Sequence, residues 1–345
     1  MKKTDVIIIN GRFHTQRTTG AQRYAGELIK ELDKLVRKGE VLMAVPPELE
    51  FLPEYQNIEV VKVGNLHNRM WEHISFPRYV RKQQGVALSL CNVAPLPNPG
   101  IVCIHDVMTK AMPGTVTWKF RLWYDILHNN STRRAKKIIT VSEFSKKEIM
   151  KYFGVSSERI IVIPNAWQHL NKVLFDEEAL KKYGLEKGKY FFAMSTLNPN
   201  KNFRWIAEVA KRNHNSIFAV AGGINKAVFA NGVGFTCPPN MKLLGYVSDE
   251  EAKTLMRDCK SFIYTSFYEG FGIPPMEALS SGAPCVIISD IEPHHEVYGD
   301  DAVYVNPFNY EVNLEDLVKP CSKGVLERFS WAKSAKLLKS MLETI

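Results

Sequence analysis

The stretch Asp5-Val-Ile-Ile-Ile-Asn10 is apolar on both alternations of an extended chain. A strand of that kind is covered on both faces, as in a parallel sheet flanked by helices. A loop follows to Gly20. From Gln22 to Val36, Tyr24, Leu28, Leu32 and Leu35-Val36 then recur at helical spacing. The alternation continues through strand-like runs at Val41–Val45, Ile58–Val63, Ala87–Leu90, Ile101–Ile104 and Ile138–Val141. A helix is expected over Ser142–Tyr152, and strands alternating with helices predict a doubly wound parallel sheet.

The pattern restarts after Pro164. Tyr190–Met194, Ser216–Ala221, Lys242–Leu244, Ser261–Tyr264 and Pro284–Ile288 predict a second sheet. Helices are expected over Arg204–Lys211, Asp249–Arg257, Pro275–Ser281 and Val325–Thr344. A length of 345 residues suits two domains. The boundary is expected near Pro164–Leu174, giving domains 1–168 and 169–328, with 329–345 as a closing helix. Two such domains facing one another would place ligands at the carboxyl ends of their strands.

Composition excludes several classes. With 45% apolar and 23% charged residues, the chain can bury a core, so disorder is excluded as its main state. Its longest apolar runs are strand-sized, well short of a membrane span, and the segment after Lys2-Lys3 is too short for a secretory signal. Together these give a cytoplasmic expectation. Six scattered cysteines without a Cys-x-x-Cys argue against zinc or a disulfide framework and for buried thiols. The formal charge of +9 favours an anionic partner.

The chemistry concentrates in Glu269-Gly-Phe-Gly-Ile-Pro-Pro-Met-Glu277, between a strand and a helix. Gly270 and Gly272 allow close backbone approach, and N–H groups at the helix start can receive phosphate. Carboxylates accept hydrogen bonds from vicinal hydroxyls, so Glu269 and Glu277 suit a polyhydroxylated ligand. A Gly-Pro turn carrying two solvent-facing acids would satisfy the same spacing.

This segment resembles the E-x7-E motif of the family-4 retaining glycosyltransferases, which have the GT-B fold of two Rossmann-like domains. The resemblance runs on through Ala278-Leu-Ser-Ser-Gly-Ala-Pro-Cys-Val286, Glu296-Val297, Gly299-Asp-Asp-Ala302 and Val305-Asn-Pro307. Thr18-Thr-Gly-Ala-Gln-Arg-Tyr24 is similar to the family's first-strand loop, and Trp71-Glu-His with Pro77-Arg78 to a "WEQ…LPR" helix of one branch. Ile104-His105-Asp106, Ile139–Ser145, Ile163-Pro-Asn165, Gly245–Asp249 and Phe329-Ser-Trp331 match further segments, although Ala166 stands where Gly is usual.

The resemblance implies a retaining transfer with catalytic contributions from His105, Glu269 and Lys201. Donor contacts would fall to Gly20, Asn200, Lys201 and the Glu269-Gly270-Phe271-Gly272-Ile273 loop, with Glu277 on the ribose. Arg23, Tyr24 and Asp106 would lie on the acceptor side, Asp106 supporting its loop. Ser195-Thr-Leu-Asn-Pro-Asn-Lys-Asn202 departs from the family form, with Asn200 for Arg and Ser195 for Gly. The diphosphate charge would then rest on Lys201, helped by Arg204 or a helix dipole.

Neither a metal nor a cofactor is expected, because no Asp-x-Asp stands at a strand end. The implied partners are a nucleotide-sugar donor and a glycan or lipid-linked glycan acceptor, in O-antigen or capsule synthesis. GDP-mannose is the donor indicated by the branch, with rhamnose, fucose and glucose as alternatives. The final helix would cross back onto the first domain. The basic, aromatic run Trp118–Lys151 could rest on anionic lipid at the membrane's inner face. No nucleic-acid motif is present. A non-catalytic GT-B-like protein binding nucleotide-sugar or nucleic acid is the alternative from another class.

Overall fold

The computed structural model describes residues 6–196, 198–222 and 237–345. Lys2-Lys3, Asp5 of the opening strand and Leu197 of the phosphate segment lie outside the described residues. The chain divides into two compact units: residues 1–165 with 330–345, and residues 166–329.

In the first unit β1 (Ile7–Asn10), β2 (Val41–Val45), β3 (Glu59–Lys62), β4 (Val86–Ser89), β5 (Ile101–Cys103), β6 (Lys137–Thr140) and β7 (Ile160–Val162) form one sheet. Its order is β3-β2-β1-β4-β5-β6-β7, and every pairing is parallel. β1 is buried at all its positions because helices cover both faces, as its continuous apolar run requires. The order reverses between β1 and β4. Crossovers on the two sides of such a switch point diverge, leaving a crevice at the carboxyl ends of those two strands.

In the second unit β8 (Tyr190–Met194), β9 (Ile217–Ala221), β10 (Met241–Gly245), β11 (Ser261–Tyr264), β12 (Val286–Ser289) and β13 (Val303–Val305) are again all parallel. The order is β10-β9-β8-β11-β12-β13, with the switch between β8 and β11. Trp205, Phe191 and Phe218 fill the core beneath this switch. Gly222, just past β9, has φ +147. A Cβ there would stand 2.0 Å from the Ser195 carbonyl oxygen, so glycine lets the chain leaving β8 cross directly over it.

Two expectations need correction. The helix expected over Val325–Thr344 is two helices, Gly324–Arg328 and Trp331–Leu342. Extended Phe329 and Ser330 separate them, and the Ser330 hydroxyl caps the second by accepting from Lys333 N–H at 3.1 Å. The thiols are not all buried: Cys237 is exposed, Cys91 and Cys321 are half-buried, and all six are unbridged. β7 and β13, each three residues long, are strands that the periodicity does not announce. Among the described residues no helix is long and apolar enough to cross a membrane.

The closing helix belongs to the first unit. Trp331 is 2% exposed and packs edge-on against Tyr24 at 5.9 Å, while the Ser334 hydroxyl donates to the Pro164 carbonyl at 2.7 Å. Removing a buried Trp costs about 3–5 kcal/mol when its site cannot collapse. Trp331→Ala should therefore lower the urea stability of this unit by about that amount. A loss below about 1 kcal/mol would mean the helix contributes little to this core.

Candidate active site

The second unit gathers its chemistry at the β8/β11 switch point. The chain leaving β8 turns through a 3₁₀ segment, Pro199–Lys201, before Asn202 adopts a left-handed conformation (φ +53) and opens the helix Phe203–Arg212. That turn brings Lys201 over the end of β11. Its Nζ lies 2.5 Å from Glu269 Oε1 and 3.0 Å from the Tyr264 hydroxyl, which itself donates to Glu269 Oε1 at 2.8 Å. The side chains of Lys201 and Glu269 are only 16% and 11% exposed. Burial works against both charges, but each holds the other. Lys201 is raised above its ordinary value by Glu269 and Tyr264, and Glu269 is lowered by Lys201. The pair is ionised at neutral pH.

Asn200 is 5% exposed, its carbonyl accepts from Phe267 N–H at 2.8 Å, and its Oδ1 has no partner. Arg204, the other candidate phosphate cation, is exposed on the following helix.

The glycine loop leads into the helix Ile273–Ser281 through Gly272, with φ +82. A Cβ at Gly272 would lie 3.0 Å from His294 Nε2, so the side chain is excluded by packing as well as by conformation. The expected row of phosphate-binding N–H groups at this helix start is shorter than its position suggested. Pro274 and Pro275 carry none, and Met276 N–H donates to the Tyr298 hydroxyl at 3.0 Å. Ile273 is the one of the first four helical residues whose N–H neither proline nor Tyr298 removes. Phe271 is 3% exposed and packs edge-on against Phe329 at 5.2 Å.

Glu277, 8% exposed, meets His169 Nε2 at 2.8 Å through Oε1. His169, Tyr264, His294 and Tyr298 were not identified from sequence as parts of this site. Tyr264 alone had a local signal, as the last residue of the strand that feeds the loop. His169 lies 108 residues from its partner, and no spacing reports such a contact. The His294 Nδ1 faces the Ser289 carbonyl at 2.9 Å and must donate to it, leaving Nε2 as an unpartnered buried acceptor.

In the first unit His105 follows β5. Its Nε2 donates to the Leu90 carbonyl at 2.8 Å, its backbone N–H donates to Asn92 Oδ1 at 2.7 Å, and its ring meets Tyr24 edge-on at 4.8 Å. Burial lowers it to about 4, which makes it a weak base at neutral pH. Tyr24 is fully buried, on the apolar face that the helical spacing marks, with its hydroxyl donating to the Ile163 carbonyl at 3.0 Å. Asp106 Oδ1 accepts from Met108 N–H at 2.9 Å and shapes its loop. Gly20 begins the helix Gly20–Asp33 with open space around its Cα, and Arg23 N–H bonds the Thr19 carbonyl at 2.9 Å. Among the described residues no group of three or more His, Cys, Asp or Glu side chains could hold a metal ion.

Residues 18–167 match the family model Glycosyltransferase Family 4, and residues 175–320 match Glycosyl transferases group 1. The chain is 33% identical over 217 residues to the O-antigen chain mannosyltransferase RfbU of Salmonella typhimurium, which covers 62% of this chain and 58% of that one. It is 31% identical over 190 residues to the O-antigen chain mannosyltransferase B of Escherichia coli, covering 52% and 50%. It thus spans between half and three-fifths of the length of these relatives. The crystal structure of Anabaena Alr3699/HepE in complex with UDP and glucose superposes with a TM-score of 0.70 at 15% identity, over 99% of this chain and 100% of that one, a likeness of fold.

His105 and His294, each lowered to about 4 by burial, have a pH consequence. Between the ordinary 6.5 and about 4 the unfolded chain binds protons that the folded chain refuses. Their contribution is therefore complete above about pH 6.5 and is lost as pH falls toward 4. Urea midpoints should rise across that interval, and less steeply in His294→Asn; an equally steep variant would show that His294 does not contribute.

Proposed function

We propose that this chain, which belongs to the family-4 glycosyltransferases of the GT-B fold, moves a hexose with retention of configuration from a nucleoside-diphosphate sugar to a glycan. The observation that carries this reading is the buried Lys201–Glu269–Tyr264 cluster at the β8/β11 switch point. An ammonium has three donors. Glu269 and Tyr264 take two, leaving one for a phosphate oxygen. Departure of a nucleoside diphosphate builds negative charge on that oxygen, and a preorganised cation in a largely buried site stabilises it without rearrangement. Glu269 lies beside Lys201, where it can accept from sugar hydroxyls. Glu277, held by His169, can accept from the ribose.

In a front-face substitution the leaving phosphate oxygen takes the acceptor hydroxyl's proton as the glycosidic bond forms. No side chain then needs to act as a base. His105, held at about 4 with Nε2 committed to Leu90, suits orientation rather than proton abstraction. The relatives' names favour mannose as the sugar and a place in O-antigen synthesis, and GDP-mannose is the donor taken in this reading. A lipid-linked acceptor would suit the helix Trp118–Arg134. There Trp118, Leu122 and Ile126 are 64%, 53% and 46% exposed in one stripe, beside Lys119 and Arg121.

Lys201→Ala should fold and lose about 10²-fold or more in transfer. Slow donor hydrolysis by the parent protein separates a working transferase from a non-catalytic nucleotide-sugar binder. Glu277→Gln should weaken binding of the bare nucleoside diphosphate more than it changes sugar selectivity, and Glu269→Gln the reverse. Equal nucleotide affinity in Glu277→Gln would remove the ribose role.

Turnover should persist in excess EDTA, because the cluster neutralises diphosphate with Lys201 and loop amides. NMR of the product from an α-linked donor should show an α linkage. A β linkage would require a base on the opposite face and would overturn retention; loss of turnover in EDTA would overturn only metal independence.

A further inference from the structure

Two thiols of the second unit stand together, away from the site described above. Cys285 immediately precedes β12, at the amino-terminal edge of the sheet, whereas Lys201 and Glu269 lie at the carboxyl ends of the strands. It is fully buried in the core that holds Phe191 and Trp205, and Cys321 packs half-buried against that core. Cys321 is gripped on both flanks of Cys285. Its N–H donates to the Pro284 carbonyl at 2.9 Å, and its Sγ accepts from Val286 N–H at 3.5 Å. Extended backbones joined in this way run about 4.8 Å apart, inside the roughly 4.4–6.8 Å between Cα atoms that a disulfide spans.

The two sulfurs share a hydrogen bond. That bond lowers Cys285 against the opposing effect of burial, with further help from Ser261 and Lys319. The same bond, with burial, raises Cys321. The pair therefore gives up a first proton more readily than an isolated thiol and holds the second. The segment that carries Cys321 is tied down beyond it. Asp301 accepts from the Ser322 hydroxyl, from Val325 N–H at 2.6 Å and from the Arg328 guanidinium at 3.1 Å. These ties end at Phe329, whose ring packs on Phe271 of the glycine loop.

We propose that Cys285 and Cys321 are a peroxide-sensitive pair that closes to a disulfide in the folded chain and so staples this segment to the start of β12. In the singly ionised pair the remaining proton passes from Cys321 to Cys285 across their shared bond. The Cys321 thiolate, on the residue that reaches the surface, attacks one oxygen of hydrogen peroxide. The O–O bond breaks, Cys321 becomes a sulfenic acid and hydroxide leaves. Cys285 then attacks the Cys321 sulfur, and its proton departs with the displaced hydroxide as water. The first hydroxide takes up the proton that the pair had already released. Two electrons and two protons pass from the thiols to peroxide, giving one disulfide and two waters. The inference is independent of the transferase reading, since it needs neither donor nor acceptor.

The full chain, reduced and then freed of reductant, is treated with a small excess of hydrogen peroxide. At least two of its six thiols should disappear and return with dithiothreitol. Glutamyl endopeptidase cuts between the two cysteines, so the digest should hold a cross-linked pair of peptides carrying Cys285 and Cys321, lighter by two hydrogens than the reduced pair. The oxidised protein should melt about 5 °C or more above the reduced one. Cys321→Ser should fold, form no such cross-link and show no shift; peptide mapping of the parent protein decides the assignment where the variant does not fold. Oxidation confined to Cys237 or Cys91, cross-links between molecules, or a Cys321 sulfinic acid beside an intact Cys285 thiol would overturn the pair. So would a cross-link that forms as fast in the urea-unfolded chain. A cross-link that leaves the melting temperature unchanged would overturn the stapling.

Discussion

In each sheet the chain runs outward from a central strand, first to one side and then to the other. Parallel strands demand crossovers of one hand, so the covering helices lie on opposite faces on the two sides of that strand. Where the order turns, between β1 and β4 and between β8 and β11, the loops leaving adjacent strands separate. Helices and cores fill the rest. Polar side chains of each unit gather at these two gaps.

The two gaps hold charge differently. At β8/β11 a buried ammonium and carboxylate lie against each other, with a phenol hydroxyl bonded to both. Removing one partner from such a pair leaves an uncompensated charge, which favours keeping both ionised and aligned. At β1/β4 the carboxylate of Glu72 is likewise paired, but Trp123 and the neutral ring of His73 share a cavity with it. Burial also makes the histidines poor bases: His105 and His294 both stay neutral down to about 4.

Support around the second-unit site comes from distant parts of the chain. Tyr298 accepts from Met276 N–H and donates to the Gly272 carbonyl, tying the glycine loop to the start of its helix. His294 blocks any side chain at Gly272, and His169 fixes one oxygen of Glu277. These contacts hold the loop's shape.

Much of this was legible in the residues alone. Continuous apolar runs at Ile7–Asn10, Tyr190–Met194 and Ser261–Tyr264 announced parallel strands because both faces of each are covered. The Glu269–Glu277 loop and Lys201 were identifiable because glycines, prolines and charges cluster locally there. The strands β7 and β13 were not announced, although β5, equally short, was. The break at Phe329-Ser330 was hidden inside a helical pattern. Only the tertiary structure decided that Lys201 pairs with Glu269 and His169 with Glu277. It also set Glu72, His73 and Trp123 around one cavity. Sequence fixes periodicity along the chain, whereas these contacts join residues tens to more than a hundred positions apart. Strand order brings them together, and no local spacing encodes it.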